Sequence, residues 1–158
     1  MGSTRHVDFE TVRPVYETDP TKCHISHVVA DTETWEQKTA QALEQMDEVV
    51  HYVKNHNLGF TIPYIAYEGS KQYIPDFIVK LKVGDGELLN LIIEVTGKNR
   101  RNKREKAETT RNQWVKAVNN AQEFGRWAFL EIFDPWSVQN TIRAYLNEWQ
   151  LSNTETSL

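Results

Sequence analysis

Two carboxylates inside apolar segments, Asp76 and Glu94, are the side chains best suited to chemistry in this chain. Asp76 belongs to Tyr73–Val83 and Glu94 to Glu87–Gly97, and the aliphatic and β-branched residues of both segments predict strands. Like charges that face each other across two strands are destabilising, and buried carboxylates are costly unless they are paired or bound to metal. A divalent cation between them removes both penalties. Mg²⁺ suits such a pair, because it takes one or two carboxylates and completes its shell with water and phosphate.

The turn between the strands decides whether the two acids face each other. The segment 84–86, Gly-Asp-Gly, is typical of a three-residue hairpin loop with a glycine in the left-handed conformation. With this loop Val83 faces Glu87, and the same register places Asp76 opposite Glu94, with their Cβ atoms about 5 Å apart. A two-residue Asp-Gly loop would shift the register by one and separate the acids. A further alternative leaves one acid at a solvated strand end and pairs the other with a lysine or arginine.

A dense basic segment follows the second strand. Six of the nine residues 98–106 are cationic and one is acidic, although the net charge of the chain is -4. Such a density is typical of a surface that contacts a phosphate backbone, and the alternative is a solvated helix start. The cations are Lys98, Arg100, Arg101, Lys103, Arg104 and Lys106.

Length and composition indicate one folded domain. The chain has 158 residues, of which 39% are hydrophobic and 11% aromatic, and it contains neither a signal-peptide pattern nor an apolar run of the ~20 residues that span a bilayer. Its single cysteine, Cys23, excludes an internal disulfide framework and fits a reducing cytosol, so we expect a cytoplasmic location and no membrane partner. Cys23, His24 and His27 lack a fourth ligand and form only a weak zinc pattern.

The remaining elements must position these residues. Apolar residues at helical spacing predict a first helix from an N-cap at Asp31 or Thr32 to about Asn55. Glu36 lies on the edge of its buried stripe, where it is a rim residue, points at the sheet or serves the helix dipole. A strand over Phe60–Tyr67 and a turn at Gly69-Ser70 precede the two strands described above.

A second helix is predicted from about Asn102, with Lys103 on its inward face and Lys106 at the edge of that face. A strand over Trp127–Phe133 and a last helix after Asp134-Pro135 follow. We therefore expect an α/β fold of the order α-β-β-β-α-β-α, with a mixed sheet of about four or more strands flanked by helices. Residues 1–27 are expected to be a linker or short strands, residues 28–151 the domain, and residues 152–158 a disordered tail.

Pro75-Asp76, with Glu94-Val95-Thr96 eighteen residues further on, resembles the motif of the PD-(D/E)xK nuclease superfamily, which shares this element order. The longer phrases Tyr-Ile-Pro-Asp-Phe-Ile-Val, Ile-Ile-Glu-Val-Thr-Gly and Arg-Asn-Gln-Trp-Val-Lys-Ala-Val-Asn are similar to the C-terminal nuclease part of type III restriction enzyme-like proteins. Those proteins carry a superfamily 2 helicase upstream. The resemblance extends from His27 to Trp149.

The resemblance implies a restriction endonuclease-like fold and a hydrolase of restriction-modification systems, an endonuclease that cleaves DNA with Mg²⁺ or Mn²⁺. Asp76 and Glu94 would bind the metal together with the backbone carbonyl of Val95, and Glu36 would be the acid of the first helix. Thr96 departs from the pattern, because it stands where the superfamily has a catalytic lysine. Some members supply a lysine from the following helix instead, which makes Lys103 and Lys106 the candidates here. The DNA contacts would fall to Lys98, Arg100, Arg101, Arg104, Arg111 and Gln113.

The implied partners are DNA and a helicase region, on the same polypeptide or on a partner chain. The departure at Thr96 keeps a second hypothesis open, a catalytically inactive DNA-binding module of the same fold. A third hypothesis is a domain that docks a helicase, with a basic segment that is merely solvated.

Overall fold

A computed structural model of the chain describes residues 7–11, 13, 15–29, 35–56, 58–66, 68–84, 86–96 and 113–156. A four-stranded sheet lies at its centre, and two two-stranded sheets and the helices surround it. The elements in chain order are β1 (Val15–Glu17), β2 (His27–Val29), α1 (Trp35–Glu44), β3 (Val49–Lys54), β4 (Ile62–Ala66), β5 (Gly69–Tyr73), β6 (Phe77–Val83), β7 (Glu87–Val95), α2 (Val115–Ala121), β8 (Arg126–Ile132), a 3₁₀ turn (Pro135–Ser137) and α3 (Val138–Thr156).

The central sheet has the strand order β3-β6-β7-β8. β6 is antiparallel to both β3 and β7, whereas β8 runs parallel to β7. The mixed sheet with flanking helices that the sequence predicts is thus confirmed. The predicted hairpin register is also confirmed, because Val83 pairs with Glu87 across the glycine-containing loop and Phe77 pairs with Ile93.

The two faces of the central sheet carry separate hydrophobic clusters. Alternate residues of the strands, among them Phe77 and Leu91, pack with α1 and α3 in the larger cluster, which we call the α1 face. The opposite residues, among them Ile92 and Phe129, pack with the β4–β5 hairpin, and we call this the hairpin face. This division matters for the site. The even-numbered residues of β7 and the odd-numbered residues of β8 lie on the hairpin face.

The first helix is shorter than predicted. It ends at Glu44, and Val49–Lys54 forms the edge strand β3. The error has a physical cause: the register of β3 against β6 shifts between Val49 and His51, so that Val49 and Tyr52 are both buried although they are three residues apart. Their spacing therefore imitates the period of a helix, whereas the β-branched side chains favour a strand.

The predicted strand over Phe60–Tyr67 exists as β4 but lies outside the central sheet. It pairs with β5, which begins at Gly69, where the sequence predicted a turn. Tyr73 therefore ends the β4–β5 hairpin, and the central strand begins only at Phe77. The first strand of the predicted three-stranded unit is β3 instead.

The C-terminal elements agree with the sequence. Asp134 accepts a hydrogen bond from the backbone N–H of Trp136, with Pro135 at the first position of the 3₁₀ turn. α3 continues to Thr156, so helix extends into the segment predicted to be a disordered tail. The predicted start of the second helix lies outside the described residues. Within the described part, no helix combines the length and apolarity that crossing a membrane requires.

Candidate functional site

Asp76 is held at the point where β3, β6 and β7 come together. It lies in a bend immediately before β6, and its backbone carbonyl accepts a hydrogen bond of 2.8 Å from the N–H of Asn55. Its side-chain Oδ2 accepts a second bond of 2.8 Å from the N–H of Val95. Since Phe77 pairs with Ile93, Asp76 is adjacent to Glu94 at the end of the hairpin.

Glu94 is buried, with 8% of its surface exposed, and its carboxylate is fixed by a phenol. Tyr73 donates its hydroxyl to Glu94 Oε2 over 2.5 Å. Burial raises the pKa of Tyr73 well above its usual value, and the charges of Glu94, Asp76 and Glu131 raise it further. Three carboxylates therefore act on one hydroxyl at this end of the sheet.

Glu131 is the third of these acids. It pairs with Glu94 in the parallel register of β7 and β8, and side chains of paired residues lie on the same face of a sheet. Thr96 donates its hydroxyl to Glu131 Oε2 over 3.3 Å, while its N–H bonds to the carbonyl of Ile132 over 2.9 Å. Thr96 is buried and thus connects the ends of the two strands.

Lys54, the last residue of β3, brings an ammonium group to the acids. Its Nζ lies 3.0 Å from Glu36 Oε1 and 3.3 Å from Asp76 Oδ1. The exposed fractions of the Lys54, Glu36 and Asp76 side chains are 11%, 11% and 20%. Burial lowers the pKa of Lys54, but the charges of Asp76 and Glu36 and their hydrogen bonds together raise it above its usual value. Lys54 therefore carries its charge at neutral pH.

The structure brings together Asp76, Glu94 and Glu36, three of the residues that the sequence singles out. Glu36 is buried and bonds to Lys54 of the sheet, which was one of the alternatives that the sequence left open. Asp76 also pairs with a lysine. The sequence analysis gave this as one of the alternatives to a bare acid pair. Gln113 is exposed. The predicted residues Lys98, Arg100, Arg101, Lys103, Arg104, Lys106 and Arg111 lie outside the described residues.

Sequence reasoning missed Lys54 and Glu131. Lys54 was assigned to the first helix, although a strand paired with β6 would have placed it opposite Phe77, next to Asp76. Glu131 was inside a predicted strand, but nothing in the local pattern indicated that this strand runs parallel to β7. For Lys54 the β-branched run before it was the available signal.

The donor set fits a magnesium ion in its chemistry. Glu36 and Asp76 share the Lys54 ammonium, Glu94 accepts the Tyr73 hydroxyl, and the charge of Glu131 also acts on that hydroxyl. Within the described ranges, no group of three or more His, Cys, Asp or Glu side chains is placed to hold an ion. Mg²⁺ needs fewer, since one or two carboxylates with water and phosphate suffice. Asp76 and Glu94, adjacent at the strand ends, are such a pair.

Comparisons with known proteins give one match. A family model described as "Endonuclease domain" matches residues 21–128, which is more than half of the chain. The matched range contains Glu36, Lys54, Asp76 and Glu94 and ends before Glu131. No curated protein and no solved structure matched the chain.

Proposed function

Because the chain belongs to the endonuclease-domain family, we propose that it hydrolyses DNA phosphodiester bonds in a Mg²⁺-dependent reaction. We further propose that it is the nuclease part of a type III restriction-like helicase–nuclease, with the helicase on the same polypeptide or on a partner chain. The observation that carries the reaction is the convergence of Asp76, Glu94 and the Lys54 ammonium at the ends of three adjacent strands.

The two strand acids would hold the metal, together with the backbone carbonyl of Val95. When bound, Mg²⁺ polarises the phosphate and lowers the pKa of its water. Asp76 is oriented by the Val95 N–H and Glu94 by the Tyr73 hydroxyl. Each carboxylate therefore has at least one oxygen fixed by the protein before any substrate arrives, which lowers the cost of arranging the site during the reaction.

Lys54 would take the role of the catalytic lysine, because position 96 carries a threonine instead. Its ammonium is charged at neutral pH and lies 3.3 Å from Asp76 Oδ1, so a phosphate brought to Asp76 would meet this positive charge. In that position it would stabilise the charge that develops on the phosphate oxygens. Lys103 and Lys106 of the predicted second helix remain candidates for the same role.

The basic segment 98–106 begins four residues after Glu94. We propose that its cations, with Arg111 and Gln113, bind the DNA backbone and carry no sequence information. This places the phosphate-binding charge next to the acids in the chain. A binding surface of this kind predicts an affinity that falls as the salt concentration rises.

The experiment is cleavage of supercoiled plasmid DNA with Mg²⁺ by Asp76→Asn, Glu94→Gln and Lys54→Met variants. The two amide substitutions keep an oxygen for the Val95 N–H and the Tyr73 hydroxyl but remove the charge, so the fold should survive. We expect each variant to lose at least about 100-fold in rate, as removal of a stabilising group from a transition state does. Calorimetric titration with Mg²⁺ and Mn²⁺ should show weaker binding by Asp76→Asn and Glu94→Gln.

Lys80→Met is the matched control, because Lys80 is an exposed lysine of β6, the strand that pairs with the β3 strand of Lys54. It should cut at the wild-type rate. If Asp76→Asn and Glu94→Gln both cut as fast as the wild type, the proposed reaction is refuted. If Lys54→Met cuts normally while Lys103→Met or Lys106→Met does not, the amine comes from the second helix instead.

Thr96 and the contacts of Asp76 favour one second candidate, an inactive DNA-binding module of the same fold. Both oxygens of Asp76 already have protein donors, Val95 N–H and Lys54, which is also how a purely structural carboxylate is satisfied. This candidate predicts salt-sensitive DNA binding without any heat of metal binding.

A further inference from the structure

Exposed aromatic side chains lie at the end of the sheet that carries the acids. Phe133 is 58% and Trp136 79% exposed. Phe133 follows Glu131 by two residues, so their Cα atoms lie within about 7 Å. Large apolar side chains that remain this exposed next to a polar site are typical of a binding surface rather than of a core.

The 3₁₀ turn that carries Trp136 packs on the helix that carries Glu36. The side chain of Asp134 accepts a hydrogen bond of 3.0 Å from the N–H of Trp136 and one of 2.6 Å from the hydroxyl of Ser137, which orders the turn. The turn therefore holds the indole at the same end of the fold as Glu131 and Glu36.

A cation accompanies the exposed indole. The ammonium of Lys38, two residues after Glu36 in α1, lies 2.7 Å from the centroid of the Trp136 ring. The ammonium covers one face of the indole, and the 79% exposure of Trp136 leaves surface on which a base can stack. The base would stack on the ring while its phosphate meets the cation at the ring edge. A purely apolar protein surface would leave this ammonium without a counter-charge, whereas the phosphate of a nucleotide supplies one.

From these observations we propose that Trp136 and Phe133 form a stacking platform for nucleobases, and that the preferred substrate is DNA with unpaired bases next to the scissile phosphate. This inference rests on the proposed nuclease function and names its substrate class. Bases inside a duplex are already stacked on their neighbours, so only unpaired bases can offer a free face to an aromatic side chain.

The test is fluorescence anisotropy with a short labelled oligothymidylate and with a labelled duplex of equal length, in low salt with EDTA. Because no metal is present, binding is read without cleavage. We expect Trp136→Ala and Phe133→Ala each to weaken oligothymidylate binding roughly 5- to 150-fold, as the loss of one stacked base does. Duplex binding should change by less than about 2-fold, since a duplex cannot use the platform.

Two controls separate stacking from other effects. Phe124 is 48% exposed and lies before the opposite end of β8, so Phe124→Ala should bind both DNAs like the wild type. Trp136→Leu keeps an apolar side chain without a stacking face, and it should bind oligothymidylate as weakly as Trp136→Ala. Full binding by Trp136→Leu would overturn stacking and indicate an apolar protein-docking surface.

The inference is also overturned if Trp136→Ala and Phe133→Ala bind oligothymidylate normally, or if duplex binding falls to the same extent. Its failure is distinguishable from failure of the nuclease proposal. A wild-type protein that never cuts plasmid with Mg²⁺ refutes the reaction but leaves the binding comparison readable. A nuclease whose Trp136→Ala variant binds and cuts single strands normally refutes only the platform.

Discussion

Replacing Lys54 by methionine should destabilise the fold far more than the loss of an ordinary ion pair. Methionine keeps the length of the side chain but leaves the carboxylates of Glu36 and Asp76 without the ammonium that lies 3.0 and 3.3 Å away. Their side chains are 11% and 20% exposed, so water screens them poorly. Removing one partner of a buried pair costs about 3–5 kcal/mol, and we expect Lys54→Met to lower the free energy of unfolding by that amount at pH 7.

Urea denaturation followed by circular dichroism measures this loss. The control is Lys71→Met, because Lys71 also pairs with a glutamate, at 2.6 Å from Glu68 Oε2, but with side-chain exposures of 43% and 74%. Exposed pairs contribute little to stability, so the shorter ion pair should matter less than the longer buried one. Equal losses for the two variants would refute the reasoning that burial, rather than distance, sets the energy.

A double-mutant cycle sharpens the result. Lys54→Met combined with Glu36→Gln removes a negative charge that the single variant leaves behind, so the double variant should be more stable than the sum of the two single losses predicts. Contacting charged residues typically couple by about 0.5–3 kcal/mol. Additive losses would mean that Lys54 and Glu36 do not interact in solution.

Three further predictions concern stability. The pKa of Tyr73 is raised above its usual 10.0, so the stabilisation that its protonated hydroxyl gives the fold is complete below that pH. Above it, the free energy of unfolding falls by up to about 1.4 kcal/mol per pH unit. Tyr73→Phe should flatten this alkaline slope in urea unfolding. Gly125→Ala should cost about 1–2 kcal/mol in the same assay, because φ is +77° and the new Cβ would lie 3.3 Å from Asn90 Nδ2. Phe77→Ala should cost about 3–5 kcal/mol, seen as a large drop in thermal midpoint, since Phe77 is fully buried.

Local sequence signals predicted the hairpin that carries the acid pair. The glycine-flanked turn set its register, and the apolar run on either side made two strands, so the adjacency of Asp76 and Glu94 followed from a few neighbouring residues. The helical stripe that Glu36 shares with Leu43 placed it on the edge of the buried face, and the structure shows that it is buried. In each case the information lies within one or two elements.

Lys54 and Glu131 depend on contacts that a local pattern does not encode. The irregular register of β3 gave its buried residues a helical spacing, which removed Lys54 from the sheet in the prediction. The parallel pairing of β7 with β8 joins segments more than thirty residues apart, and no residue of β8 specifies its partner. Sequence reasoning therefore missed the strand β3, which it assigned to a helix, and the position of β8 beside β7.

The strand order brings an ammonium to the acids without a lysine at position 96. The Thr96 hydroxyl binds Glu131 and the Tyr73 hydroxyl binds Glu94, and neither group brings a positive charge. The ammonium enters from the opposite edge of the sheet, on β3, where it meets Asp76 and Glu36. The chain thus neutralises the Asp76 side of the cluster with its own ammonium, and in the proposed reaction a metal ion would add positive charge on the Glu94 side. In the proposed reaction the metal and the amine would therefore approach the phosphate from different sides of Asp76.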